Sequence, residues 1–353
     1  MAYTDIDKPT DYFNTKLYTG NGGTNNITGL DFQPDWVWIK SRNDSANHNL
    51  FDVVRGATKY LKSNAINVET TDSTSLTSFN SNGFTLGSNN DQDVNKNNDT
   101  YVSWSWKAGT SFSNDASSTS VGSIDSAGSV STDAGFSIIG FTGDAQTGTT
   151  VAHGLGVKPN MIIVKNREPD VANWQVYHSS LGATKYLGLN ENNASVTSAT
   201  RWNNTEPTTS VFTLGSSGDV VGDSSGETFI AYCFAEKQGY SKFGSFSGNG
   251  NADGAFIYTG FKPAWVMMKA SSATGNWGMF DNKRIGYNVK NYNFRADQNN
   301  AEGTDDAIDI LSSGFKIRST SGGFGGGDGT TYIYMAFAEN PFTTSTGVPA
   351  TAR

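Results

Sequence analysis

Pro34-Asp35-Trp36-Val37-Trp38-Ile39-Lys40 recurs twice, as Pro159-Asn160-Met161-Ile162-Ile163-Val164-Lys165 and as Pro263-Ala264-Trp265-Val266-Met267-Met268-Lys269. Each version starts on proline, passes one variable residue, runs through four apolar residues and ends on lysine. Four apolar residues in a row are too few for a helix and suit a strand buried on both faces. Proline at the head is compatible with that reading, because only the first residue of the strand then lacks its N–H.

Working outward, further landmarks keep register with this motif. Gly56-Ala57-Thr58-Lys59-Tyr60-Leu61 is matched by Gly182-Ala183-Thr184-Lys185-Tyr186-Leu187 and, more weakly, by Gly286-Tyr287-Asn288. Gly83-Phe84-Thr85-Leu86-Gly87 is matched by Val211-Phe212-Thr213-Leu214-Gly215 and Gly314-Phe315-Lys316-Ile317-Arg318. Each copy closes on an alternating segment: Tyr101 to Trp106, Phe229 to Phe234 and Tyr332 to Phe337. In these segments Val102, Trp104 and Trp106, then Ile230, Tyr232 and Phe234, then Ile333, Met335 and Phe337 share one face. The opposite face is small, with Ser103, Ser105, Ala231, Cys233 and Ala336, and suits either a closely approaching second sheet or solvent. A short strand and a Gly/Asn loop precede each Pro-led run, as in Leu17-Tyr18-Thr19-Gly20 and Gly140-Phe141-Thr142-Gly143.

Self-similarity at this spacing means three divergent copies of one unit. No segment sustains a helical period; Asp305 to Leu311 is the best candidate for a short helix and reads equally as a strand. Short strands between Gly, Asn, Asp and Ser turns point to an all-β chain of three tandem antiparallel β-sandwich domains, with a lectin-like jelly roll as the preferred form. The expected boundaries are an N-terminal arm over 1–16, repeat 1 over 17–108, a Ser/Thr/Gly linker over 109–133, repeat 2 over 134–238, repeat 3 over 239–342 and a tail over 343–353. The 109–133 stretch reads as flexible or extended, setting copy one apart, while copies two and three follow each other closely and are expected to pack together.

Composition narrows the function classes. The 353 residues carry a net charge of −8, only 16% charged residues and 12% aromatics, which fits a folded β protein rather than a disordered one. An acidic chain without clustered Lys and Arg is not expected to bind nucleic acid. No apolar run is long enough to span a bilayer, so no membrane insertion is expected, and no signal peptide is visible. The single Cys233 excludes an intrachain disulfide framework and fits synthesis in a reducing cytoplasm.

Chemistry-bearing motifs are sparse. His48, His153 and His178 lack zinc-site spacing. His178 follows Tyr177 at the place where Asp52 follows Phe51 and Asp281 follows Phe280; these three residues are candidates to face a ligand, against the plainer reading of strand-end residues that satisfy a turn. Trp202, in a polar loop, is a candidate to stack on a sugar, against the plainer reading of a loop anchor. Asp91, Asp93 and Asp99 lie in a calcium-loop-like run, but Lys96 replaces the required glycine and Val102 the final glutamate, so a solvated turn is the favoured reading. No GxSxG or Cys–His nucleophile pair is present and no paired carboxylates can be placed, so neither a cofactor nor enzymatic activity is expected.

The landmarks resemble a repeat family found in structural and tail-associated virion proteins of tailed bacteriophages, especially marine and cyanobacterial ones. The resemblance rests on Asp11 to Gly20, Pro34 to Lys40, His153-Gly154-Leu155-Gly156, Ile162 to Arg167, Tyr177 to Gly182 and Tyr332 to Phe342, and covers nearly the whole chain. It implies a virion location and supplies no catalytic or ligand residue. The expectation is therefore a virion surface protein, a tail fibre or tail-associated protein with lectin-like domains for host attachment. The alternative is a capsid decoration, head-fibre or connector protein. Expected partners are other virion proteins and host cell-surface polysaccharide, with a homo-oligomer as the expected assembly.

Overall fold

Each Pro-led run becomes a middle strand of a main antiparallel sheet. In the computed structural model, which describes residues 4, 6–89, 93–168, 172–284, 288 and 292–349, three such sheets share one order: opening, closing, Pro-led, third and fourth strand. In copy one these are Phe13–Thr19, Thr100–Trp106, Trp36–Ser41, Asn49–Asp52 and Lys59–Lys62. In copy two they are Phe136–Thr142, Thr228–Phe234, Met161–Asn166, Gln175–His178 and Lys185–Gly188. In copy three they are Ser241–Ser247, Thr331–Pro341, Phe261–Ala270, Trp277–Asp281 and Asn293–Arg295. Register fixes the equivalences between copies: Trp38 opposes Trp104, Ile163 opposes Tyr232, and Met267 opposes Met335.

A smaller sheet lies against each main sheet. It contains Asn25–Thr28, Gly83–Leu86 and Leu76–Asn80 in copy one, Thr150–Ala152 and Val211–Thr213 in copy two, and Phe256–Tyr258, Gly314–Ile317 and Ile308–Leu311 in copy three. The fold is thus all-β and antiparallel, of sandwich type, as expected. Asp305 to Leu311 resolves to the strand Ile308–Leu311; Gly286 and Tyr287 lie outside the described residues.

The two faces of each main sheet pack differently. The small face meets the small sheet: Ala231 and Cys233 enter copy two's own core, and Ala336 and Ala338 enter copy three's. Small side chains let the sheets approach closely there. The large faces of all three copies converge on one central core, which includes Trp36, Trp104, Trp106, Phe136, Tyr232, Phe234, Trp265, Met335 and Phe337. Trp36 stacks on Tyr232 of copy two at 4.5 Å between ring centroids, and Phe13 stacks on Phe337 of copy three at 5.4 Å. Each such side chain contributes about 1.5–3 kcal/mol by burial alone, so this core binds all three copies into one body.

Copy one is therefore not set apart, and the 109–133 stretch is not a flexible linker. Thr110–Asn114 and Ser126–Ser131, joined through the short helix Ala116–Thr119, extend copy two's main sheet beyond its opening strand. Ladder pairing satisfies their backbone groups, and a Ser/Ala-rich sequence suits a sheet extension with one wet face. The arm expected over 1–16 is also shorter: the opening strand begins at Phe13, and Ile6 is buried. Ser345 of the tail donates its backbone N–H to Asp7 at 2.6 Å, bringing the two ends together.

Candidate functional site: junctions between copies and an open groove

The third strand of each copy ends against the closing strand of a neighbour, and there the sequence candidates Asp52, His178 and Asp281 lie, all fully buried. Each first satisfies its own turn. Asp52 Oδ1 accepts the N–H groups of Val54 and Arg55, Asp281 Oδ1 accepts those of Lys283 and Arg284, and His178 Nδ1 accepts that of Ser180. The plainer reading holds for this part. The rest of each side chain reaches into another copy.

At the junction of copies two and one, Tyr232 donates its hydroxyl to Asp52 Oδ2 at 2.7 Å. Arg55 Nε contacts the same carboxylate at 2.5 Å and reaches Glu69 at 3.5 Å; Arg167 of copy two completes the chain on Glu69 at 2.9 Å. At the junction of copies one and three the set repeats. Trp104 Nε1 donates to Asp281 at 3.0 Å, Arg284 Nε contacts Asp281 at 2.6 Å, Arg284 and Glu302 meet at 3.1 Å, and Arg42 of copy one meets Glu302 at 2.9 Å. The backbone matches too: Glu69 N–H donates to Arg167 O and Glu302 N–H to Arg42 O, both at 2.9 Å.

The junction of copies three and two has the same skeleton with neutral residues at the five matching positions. Ser195 N–H donates to Ser271 O at 2.9 Å. Ser271 and Ser195 replace the outer Arg and Glu, Leu181 replaces the inner Arg, His178 replaces the Asp, and Met335 replaces the Trp or Tyr donor. With Nδ1 accepting from Ser180, the proton of His178 sits on Nε2, which donates to Tyr334 O at 3.1 Å. Burial pushes the imidazole down to about 4, so it is neutral near pH 7. Contacts run from copy two to one, one to three and three to two, so the copies close a ring about a pseudo-threefold axis.

Electrostatics follow from this geometry. Burial works against the charge of Arg55, but Asp52, Tyr232 and Glu69 outweigh it and hold the guanidinium pKa above its ordinary value. Burial likewise raises Glu69, while the hydrogen bond from Arg167 and the charge of Arg55 reverse that and leave it below the usual carboxylate range.

The lysine ending each Pro-led run is a junction residue as well. Lys165 donates to Asn166 O and to Ile66 O of copy one, and Lys269 to Ala270 O and to Asn192 O and Asn193 O of copy two. Lys40 donates to Ser41 O and Asp44 O and lies 5.0 Å from the ring of Phe294 of copy three. Burial lowers Lys40 to about 7 and Lys269 to about 8. The sequence signal for this role is the recurrence of the lysine in all three copies, directly after four apolar residues. Trp174 and Trp277 also cross junctions, donating to Lys62 O at 2.9 Å and Gly188 O at 2.8 Å. His48 stands at the equivalent position in copy one, accepting from Trp38 at 2.8 Å.

Other candidates lie apart from these junctions. Trp202 is no sugar platform: it is 2% exposed and packs edge-on to Tyr177 at 6.0 Å. Asp91 lies outside the described residues. Asp93 accepts from Asn47 N and sits 3.7 Å from Lys62, whereas Asp99 accepts from Asn43 and pairs with Lys96 at 3.3 Å. The two carboxylates serve different partners, and no group of three metal-ligating side chains occurs among the described residues.

A groove open to solvent lies beside the extension of copy two's sheet. Ser111, Ser113, Ala127, Ser129 and Gly140 share one face by register. The turn Val53-Val54 of copy one forms the opposite side, and a Cβ on Gly140 would lie 3.3 Å from Val54 Cγ1. Two hollows of about 420 and 480 Å³ adjoin there, sharing Val54, Ser113 and Ala127. Asp115, Asp125 and Arg167 border the first and Gln33 and Asp35 the second. Asp35 accepts from Ala108 N at 2.7 Å, and burial pushes its carboxyl up to about 6. Copy two has the neutral Asn160 in its place, accepting from Glu236 N at 2.8 Å.

No curated protein and no solved structure shows a match to this chain. One family model runs through all three copies as a single unit, in keeping with their common core. It is described as Domain of unknown function (DUF7483) and matches residues 8–341, and the chain belongs to that family.

Proposed function

We propose that this chain is a surface protein of a tailed-phage virion, a tail fibre or tail-associated component that attaches the particle to host-surface polysaccharide. The observation that carries this reading is where the repeated polar residues point. Asp52, Asp281, His178 and the three motif lysines face inward and join the copies, so the chain is a rigid body whose loops and inserted hairpin differ from copy to copy. That division of labour suits display: a fixed scaffold positions variable loops for binding. The resemblance of the repeat landmarks to virion proteins supports the location. Many copies on one particle would turn weak contacts into avidity. Cys233 is buried and burial pushes its thiol up to about 12, which suits a core residue and not a nucleophile and so supports a binding role.

A second reading, capsid decoration or a head-fibre or connector role, draws on the ring of copies. A body with pseudo-threefold symmetry presents three related faces and fits a site among three identical partner subunits. Labelling the protein on intact particles and locating it by cryo-electron microscopy separates the two. Density at the tail tip or fibres supports attachment; density over the capsid shell overturns it in favour of decoration.

A further inference from the structure

We infer that the groove between copy two's sheet extension and the Val53-Val54 turn of copy one is a binding site for a neutral, polyhydroxylated chain, an oligosaccharide of two or more sugar units. The inference rests on the attachment reading and gives it a place and a chemistry. Hairpin Thr110–Asn114 and Ser126–Ser131 is inserted between copies one and two, so the groove arises where that hairpin meets copy one. Hollows of about 420 and 480 Å³ fall in the range of small-molecule sites.

The lining selects the ligand. Hydroxyl-bearing side chains alternate along the floor, while Val54 offers an apolar contact for the C–H face of a sugar ring. Ser129 is only 7% exposed and lines the groove. Its hydroxyl can exchange hydrogen bonds with a ligand hydroxyl there. Asp125 Oδ1 accepts the N–H of Ala116, and the exposed carboxylate borders the groove, where it can accept from a sugar hydroxyl. Arg167 on the rim is matched by Glu69, so the groove carries net negative charge from its aspartates. That charge disfavours uronic, sialic or phosphorylated glycans.

Calorimetric titration of the full chain with maltopentaose and chitotetraose, against oligogalacturonate, tests the assignment. The expected result is binding of at least one neutral probe and at least tenfold weaker binding of the anionic one. Ala127→Trp, on the exposed floor shared by both hollows, is expected to weaken binding at least tenfold with an unchanged melting temperature. If it perturbs folding, Asp125→Ala replaces it, with an expected threefold or greater loss. Phe256→Ala, on the exposed edge of copy three's small sheet, is expected to change nothing. Unchanged binding in the folded groove variants overturns this site and leaves glycan attachment standing. Preference for the anionic probe, or for a cationic peptide such as tetralysine, overturns the ligand class. Failure of the wild type to bind any neutral probe overturns the site, while the virion location is tested separately by microscopy.

Discussion

Two junctions of the ring are held by buried ion chains and the third by a neutral set, although all three use the same backbone contacts. The junctions of copies two and one, and of copies one and three, each carry Arg, Glu, Arg, Asp and an aromatic donor. At the junction of copies three and two, all five positions change together to Ser, Ser, Leu, His and Met. The lesson is that the charge at these sites is not what creates the interface. Removing one member of a buried ionic set leaves the others uncompensated, so the set persists or changes as a whole.

The largest effect should come from breaking one charged junction. Asp281→Ala removes the acceptor of Trp104 and the closer of the two carboxylates on buried Arg284, leaving only Glu302, at an expected cost of about 3–5 kcal/mol. His178→Ala, at the equivalent neutral position, loses two neutral hydrogen bonds, from Ser180 N–H and to Tyr334 O, and some packing, with an expected cost of about 1–3 kcal/mol. Urea denaturation of both variants measures the difference; equal losses would erase the contrast between the junctions.

A smaller effect of opposite sign is expected at the other repeated position where a charge stands opposite a neutral residue. Asp35 holds its proton up to about pH 6 in the folded state, against 3.8 unfolded. The folded state therefore binds more protons between these values, stability falls as pH rises through that window, and the deficit is complete above about 6. Asp35→Asn, which installs the residue that copy two already uses at Asn160, should stabilise the protein at pH 7 by about 2 kcal/mol. It should also flatten the stability profile between pH 4 and 6. Thermal melts across that range decide it.

The smallest net change should follow from the most extensive replacement. Converting the junction of copies two and one to the neutral set, with Arg167→Ser, Glu69→Ser, Arg55→Leu, Asp52→His and Tyr232→Met, should leave stability at pH 7 within about 2 kcal/mol of the wild type. It should cost less than Asp52→Ala alone. The conversion should also change acid sensitivity. Glu69 has a folded pKa below its unfolded one, so its stabilisation is present above the unfolded value and is lost as pH falls through the folded value. The converted protein loses that contribution and gains a buried neutral histidine, which like His178 (about 4 against 6.5) costs stability as pH falls below the unfolded value, so its acid sensitivity should begin at a higher pH than that of the wild type. A fivefold variant less stable than each single one would show that the neutral set works only in its own surroundings.

Much of the fold was legible because repeats report on the core. Pro-led runs apolar on both faces had to be inner strands, and the alternation of Trp104 and Trp106 with Ser103 and Ser105 correctly placed large and small faces. What the alternation left open was which neighbour each face meets, because a Trp-rich face reads the same whether it packs inside one domain or against two others. The three-domain division consequently misses the shared core. Segment 109–133 misled for a related reason: Ser, Thr, Gly and Ala have the composition of a linker, and only the neighbouring strand Phe136–Thr142 makes them a sheet edge. Aligning Asp52, His178 and Asp281 picked out three equivalent strand ends that satisfy their own turns, and left unseen the neighbouring copy that each also reaches. Carried three residues further, the same alignment sets Arg55 and Arg284 against Leu181, a charge-to-neutral exchange that signals a buried partner rather than a ligand.

The contact of Phe13 with Phe337 has a consequence for how the chain is made. Strand Phe13–Thr19 is made long before the strand whose ring it stacks on, so the aromatic faces of copies one and two cannot be fully covered until Thr331–Pro341 has emerged. Such long-range closure slows folding and leaves apolar surface exposed during synthesis. Nascent chains lacking copy three should therefore depend on chaperones and aggregate when released early, and full-length chains should acquire protease resistance in a single late step.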